Sequence, residues 1–298
     1  MIDITQYLQD IYEDLQRYVD NDVCLCKFKE LNFEAGALPD YEDINIQQLY
    51  LLRYAFAYAF EYSRMYLDVL SQMDDVNSIS VTSVGCGSMI DYWSLVHALE
   101  IKHKPDCSIR YIGIDKIDWN YKIPKRQNDE VHYSIENAAD FFTGNSQFVS
   151  DVYFFPKSIS EFSDSELNAM SNSFSSKNIQ KDRFFVCISL REDQGSMDRD
   201  IQKTKRLIEA IRKNGFCTKW PYAQYTYYDR NDGIASFDND FRYPSEALEF
   251  VTNLKVECVN YKIQEENCQS NCKKYLSRWP ILKVGHIRYQ VIMFERVN

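Results

Sequence analysis

The chain has 298 residues, 45% of them hydrophobic and 26% charged, with a formal net charge of −10. These are ordinary globular proportions, so disorder is not the default. The acidic balance also argues against a nucleic-acid surface beyond one basic stretch, Lys116 to Arg126, whose plain reading is a solvated loop. No run of about 18 uncharged apolar residues occurs, and the opening MIDITQYLQDIYEDL has no basic or apolar signal region. The expectation is a cytoplasmic protein with no membrane partner.

In chain order, the stretch to about Met73 reads as helices. Gln47 to Leu70 is apolar and aromatic at helical spacing, with no Gly or Pro. It is too apolar to stand alone in water. The tyrosines Tyr54, Tyr58 and Tyr62 read as core or as a wall closing over a ligand, and Arg53 and Arg64 as carboxylate binders or surface ion pairs. From Ser78 the pattern alternates. Strands are expected at Ile79–Val84, Ile109–Ile114, Glu130–Ile135, Asp151–Phe155, Phe184–Leu190, Phe216–Tyr228 and His286–Phe294. Helices are expected at Asp91–Ile101, at Ser163–Phe174 with Ser163 as N-cap, and at Asp198–Lys213 closed by Asn214-Gly215. Strands separated by helices imply βαβ units and a mostly parallel sheet with helices on both faces. We therefore read residues 1–77 as a helical segment packing on the core and 78–298 as an α/β domain. Residues 229–285 are read as a polar, Cys-containing insertion with one helix, Pro244–Asn253.

The segment Ile79 to Leu95, ISVTSVGCGSMIDYWSL, carries the chemistry. A β-branched strand runs into Gly85-Cys86-Gly87-Ser88 and then a helix. Glycines there allow a ligand to approach the main chain, and a helix start offers free N–H groups. The next strand ends at Asp115. An acid at that place accepts hydrogen bonds from ribose hydroxyls, and the crevice outside the strand ends is where such sheets bind ligands. The G-x-G-x-x-G pattern of nicotinamide enzymes fails, because Asp91-Tyr92 stand where the third glycine would come.

At these residues the chain resembles the class I S-adenosylmethionine-dependent methyltransferases, closely over Ser78–Leu190 and loosely beyond. The resemblance implies a Rossmann-like, doubly wound, mostly parallel seven-stranded sheet with an N-terminal helical extension, and S-adenosylmethionine as cofactor. It assigns the glycine loop, Val84, Gly85, Cys86, Gly87 and Ser88, to the methionine part and Asp115 to the ribose. Lys116, Ile117, Asp118 and Trp119 fall near the adenine, Asp140 (within Asn137–Asp140) at the third motif, and Pro156 at the fourth. Two departures stand out: Ser83 replaces an acid, with Asp91 as a substitute, and Met89 replaces a third glycine. For catalysis the candidates are Lys157, orienting an acidic substrate, Ser158, and Glu161, accepting a proton. Their alternative is a plain turn and helix start.

The resemblance implies a methyltransferase acting on a small molecule or a protein or peptide. The alternatives are a weakly catalytic binding or assembly module, and another transferase such as an aminocarboxypropyl transferase. The nine cysteines are dispersed and read as reduced thiols. Cys24-x-Cys26 with Cys258, Cys268, Cys272 and His286 is the alternative for zinc or iron–sulfur, but the usual two-residue knuckle is absent, and no metal is expected.

Overall fold

The computed structural model describes residues 3–32, 38–73, 76–191, 194–218, 226–229, 241–263, 275–282 and 286–297. Two aspartates start the helical segment. Asp3 caps α1 (Ile4–Val19) by accepting from the Thr5 N–H, and Asp43 caps α2 (Ile44–Ser71) by accepting from Asn45 and Ile46. Each supplies an acceptor to helix donors that have no intrahelical partner. Helix α2 is buried nearly all round because it lies between layers. Against it pack α3 (Ile90–Ile101) on one side and α1 and α7 (Ser245–Asn253) on another.

The sheet contains β1 (Ser78–Val84), β2 (Ser108–Asp115) and β3 (Glu130–Ile135) on one side, all parallel. A short helix α4 (Ala138–Gly144) and a two-residue strand β4 (Gln147–Phe148) follow, then β5 (Val152–Phe155) on the other side of β1. Helix α5 (Asp164–Ser176) begins with the reciprocal cap of Ser163 and Glu166. After it come β6 (Asn178–Ile179), paired only with β4, and β7 (Arg183–Ser189), parallel to β5. Helix α6 (Gln194–Lys213) leads to β8 (Phe216–Cys217) and β9 (Thr226–Asp229). Beyond α7 lie α8 (Val259–Lys262) and β10 (His286–Arg296), antiparallel to β7. The order is β3-β2-β1-β5-β7-β10, with β8 and β9 sharing the outer edge of β10, so the sheet is seven positions wide.

Helices cover both faces. One core joins α1, α2 and α3 to the sheet, and the other joins α4, α5 and α6. The strand order reverses at β1, between β2 and β5, which opens a crevice at their carboxyl ends.

Two expectations change. The strand expected over Phe216–Tyr228 is two short strands, β8 and β9, that pair with opposite ends of β10. The region expected to be a polar insertion supplies Ala247, Val251, Leu254, Cys258 and Leu276 to the main core, because α7 closes over α1 and α2. In the basic stretch, Lys116 and Lys125 are exposed, Lys122 pairs with Asp118, and Arg126 pairs with the buried Asp129 at 2.8 Å. No helix among the described residues is long and apolar enough to cross a membrane.

Candidate active site

The crevice is a cavity of about 250 Å³ reached by both strand ends and α2. Its first wall is the glycine bend. Val84 lies level with Ile114 in the β1–β2 ladder, so the bend and Asp115 emerge side by side. The Gly85 and Cys86 N–H groups both donate to the Ile114 carbonyl, at 2.8 and 3.1 Å. Asp115 then ties the bend to β2: its Oδ2 accepts from the Gly87 N–H at 2.8 Å and its Oδ1 from the Ile117 N–H at 2.9 Å. Each carboxylate oxygen retains lone-pair capacity after one such bond. Burial raises the Asp115 pKa against the pull of these donors.

Both glycines have positive φ, +72° at Gly85 and +53° at Gly87. A Cβ on Gly85 would come 2.6 Å from Ser158 Cβ, and one on Gly87 would rest on the Trp119 ring at 3.5 Å. Met89 also has positive φ, 67°, where the resemblance expects a third glycine, and it starts α3. Gly113, which belongs to no sequence motif, keeps the bend in place from behind. A Cβ there would meet Cys86 Sγ at 2.8 Å and the Tyr111 ring at 2.9 Å.

Gly85, Cys86, Gly87, Ser88, Asp115, Lys116, Ile117, Pro156, Lys157, Ser158 and Glu161 all reach the cavity wall. Cys86 does so through its backbone, since its thiol packs in the core and burial pushes its pKa up. Val84 and Asp140 do not. Val84 ends β1 with its side chain in the α4–α6 core, and Asp140 points to solvent from the first turn of α4. Glu136, Asn137 and Ala138 occupy the wall instead, because α4 starts at Ala138 and turns position 140 outward. Asp91, offered as the missing acid, lies fully buried off the cavity, with Tyr111 donating to both its oxygens at 2.9 and 3.1 Å. Burial lifts its pKa to about 6. Arg53 is buried and donates to the Tyr275 carbonyl, away from the cavity.

The far wall comes from β5's end and α2. Lys157, at φ 58°, holds its ammonium 3.0 Å from Glu61 of α2 and donates to the Leu190 carbonyl at 2.6 Å. Ser189 at the end of β7 donates to the other Glu61 oxygen. Lys157 is thus already matched to a buried carboxylate, which removes the reason to assign it to an acidic substrate. Ser158 is buried and its hydroxyl donates to the Val84 carbonyl, bracing the bend. Glu161 closes the short turn Ile159–Glu161. Its carboxyl is about a third exposed, into the cavity, with Arg191 4.0 Å away. Burial among the surrounding walls pushes its pKa up to about 7, partly offset by Arg191.

The α2 side is aromatic. Tyr50, Tyr54, Tyr58 and Tyr62 follow at every fourth residue, and neighbouring rings lie 5.1, 5.9 and 5.8 Å apart. Tyr50, Tyr58 and Tyr62 reach the cavity; Tyr54 stays behind them. Trp119 sits 5.3 Å from Tyr41 and 5.7 Å from Tyr50 and carries a buried Nε1–H with no partner. Glu61, Tyr41, Tyr50 and Gly113 carry no local motif; only the four-residue spacing of the tyrosines signals a shared face.

Among the described residues no set of three His, Cys, Asp or Glu side chains is placed to hold a metal. The Cys24 sulfur accepts from the Asn260 amide, while Cys258 is buried beside Leu25. Cys268 and Cys272 lie outside the described residues.

No family model and no curated protein matches the chain. Solved structures do, at low identity. The plantazolicin methyltransferase BpumL covers 98% of this chain and 99% of its own, at 10% identity and a TM-score of 0.42. The 1,6-didemethyltoxoflavin-N1-methyltransferase of Burkholderia thailandensis covers 82% and 80%, at 9% identity and 0.41. The cyclopropane synthase MmaA2 of Mycobacterium tuberculosis covers 77% and 82%, at 10% and 0.39. On its strand order, with the last strand reversed, the fold is a Rossmann-like, mostly parallel α/β fold.

Proposed function

We propose that this chain is an S-adenosylmethionine-dependent methyltransferase acting on a small molecule or a peptide. One observation carries the reading. A bare-backbone bend and the Asp115 carboxylate, from adjacent parallel strands, line one cavity together with Glu161 and the tyrosines of α2. The residues fit the cofactor. Asp115 keeps acceptor capacity for two ribose hydroxyls, Ile117 and Trp119 offer an apolar slot beside it, and Gly87 leaves main chain uncovered for the methionine part.

Bound there, the cofactor supplies a methyl group on a sulfonium. The chain's own residues do the rest. The bend and Asp115 fix the donor, and the α2 aromatics and β5 end confine the acceptor in line and exclude water. Glu161 is the group with geometry and proton affinity to remove an acceptor proton near neutral pH. Lys157 and Ser158 are positioning residues in this reading, holding α2 and the bend. Nucleic acid is disfavoured, because the net charge of −10 would repel a phosphate backbone. The described cysteines are all free, which supports a reducing, cytoplasmic setting.

Titration calorimetry tests the reading. Binding of S-adenosylhomocysteine and none of a nicotinamide dinucleotide is the expected result. No measurable S-adenosylhomocysteine binding by folded protein overturns it.

A further inference from the structure

The acceptor half of the cavity has a definite charge and texture. Tyr41 and, from α2, Tyr50, Tyr58 and Tyr62 line the same cavity as Glu161. Tyr41 and Tyr50 have their phenol pKa values pushed far up by burial and further by the charge of Glu161, so both lie within its field and stay neutral. Asp115 and Glu136 add negative potential at the cofactor side. The cationic side chain nearest the tyrosines, Lys157, is matched by Glu61 at 3.0 Å, so its charge is compensated before any ligand enters. Its ammonium lies 5.8 Å from the centre of the Tyr58 ring.

Asp115, Glu136 and Glu161 outnumber Lys116 on this lining, and Arg191 comes only within 4.0 Å of Glu161, so a carboxylate or phosphate entering here would meet net like charge. An organic cation would meet opposite charge and the negative faces of aromatic rings, an arrangement that attracts ammonium groups. We infer that the methyl acceptor is the nitrogen of an organic amine, bound as its ammonium between Glu161 and the tyrosine row of α2. The inference rests on the methyltransferase reading and narrows its substrate class. The ammonium gives one N–H proton to the Glu161 carboxylate. The freed nitrogen lone pair then forms the new N–C bond as the C–S bond breaks, its electrons remaining on sulfur. The positive charge passes from sulfur to the methylated nitrogen, so the product is again an ammonium that the same wall accommodates, and Glu161 releases its proton to solvent on reopening.

The test uses choline, a quaternary ammonium that cannot be methylated, against its uncharged isostere in which carbon replaces nitrogen. Calorimetry is run on the full chain with S-adenosylhomocysteine already bound, so that the donor half is filled. Choline should bind on the order of tenfold more tightly than the isostere. Tyr58→Leu and Glu161→Gln should each erase most of that preference while leaving S-adenosylhomocysteine affinity unchanged, which also reports that both variants fold. Equal affinities for the two compounds, tighter binding of the isostere, or a preference that survives both substitutions overturns the inference. Absence of S-adenosylhomocysteine binding is a separate outcome, and it overturns the methyltransferase reading on which the inference stands.

Discussion

At the scale of single residues, the proposed function gives Glu161 the proton and Asp115 the cofactor. Partial burial pushes the Glu161 carboxyl up to about 7, and a base must be unprotonated to act. Turnover should therefore rise as pH passes upward through about 7 and level off above it, checked as kcat against pH with a saturating acceptor. Glu161→Gln should lower kcat on the order of 100-fold and abolish that rise, with cofactor affinity retained. Asp115→Ala should instead lose most cofactor affinity, because it removes the ribose acceptor and frees the Gly87 N–H it now holds. Calorimetry on that variant, with circular dichroism to show that it is folded, checks the assignment. Asp91 gives a stability signature of its own. Its folded pKa, about 6, lies above the ordinary carboxylate value, so the native state binds more protons than the unfolded chain between about pH 4 and 6. Its contribution is thus greatest at low pH and is lost as pH rises through about 6, at a cost of up to about 3 kcal/mol by neutrality. In Asp91→Asn the denaturant midpoint should be markedly flatter over that range.

At the scale of elements, the bend is built from three directions. Ile114 holds it by two N–H bonds, Ser158 braces it from β5, and Gly113 leaves room for Cys86 behind it. Gly113→Ala should cost about 1–3 kcal/mol by overpacking against Cys86 and Tyr111. Pairing it with Cys86→Ala should recover part of that loss, since the nearest clashing atom is the Cys86 sulfur. Urea unfolding of the two single variants and the double variant measures the coupling. The tyrosine row of α2 follows the same logic along a helix. Residues four apart share a face, so Tyr50, Tyr58 and Tyr62 form one wall, and Gln47 on the same helix accepts from the Asn120 N–H in the loop after Trp119.

At the scale of the whole molecule, the N-terminal helices are part of the site. Glu61 of α2 is buried, and Lys157 after β5 and Ser189 of β7 satisfy it. This places a charged link between the helical segment and the strand ends that carry the chemistry. Breaking one half of a buried pair leaves an unmatched charge, so Lys157→Met should destabilise by about 3–5 kcal/mol. Replacing both partners, Glu61→Leu with Lys157→Met, should cost much less. Thermal unfolding of the three variants checks this, and a double variant as unstable as the single one would show that the pair does not act as a unit.

How much of this is legible in the amino-acid order follows from the range of each interaction. Strand–glycine–helix and strand–acid patterns are local, so β1, α3, β2, the bend and Asp115 can be read directly from Ile79 to Asp115. The Ser163 cap of α5 and the Asn214-Gly215 stop of α6 are local for the same reason. Asp140 falls outside the cavity because where α4 starts, and so which way position 140 faces, depends on the Asn137 cap and on packing. The split of the sixth strand into β8 and β9 depends on which ends of β10 they can reach. By itself, then, the amino-acid order determined the alternation of elements, the glycine bend and the acid that ends the next strand, since hydrophobic period and backbone freedom act over a few residues. Only the tertiary structure decided the acceptor half. Glu61 and Lys157 stand 96 positions apart along the chain, and Tyr58 and Glu161 stand 103 apart. What those groups neutralise, shield or recognise is set by which side chains share a low-dielectric space, and that exists only once the core has formed.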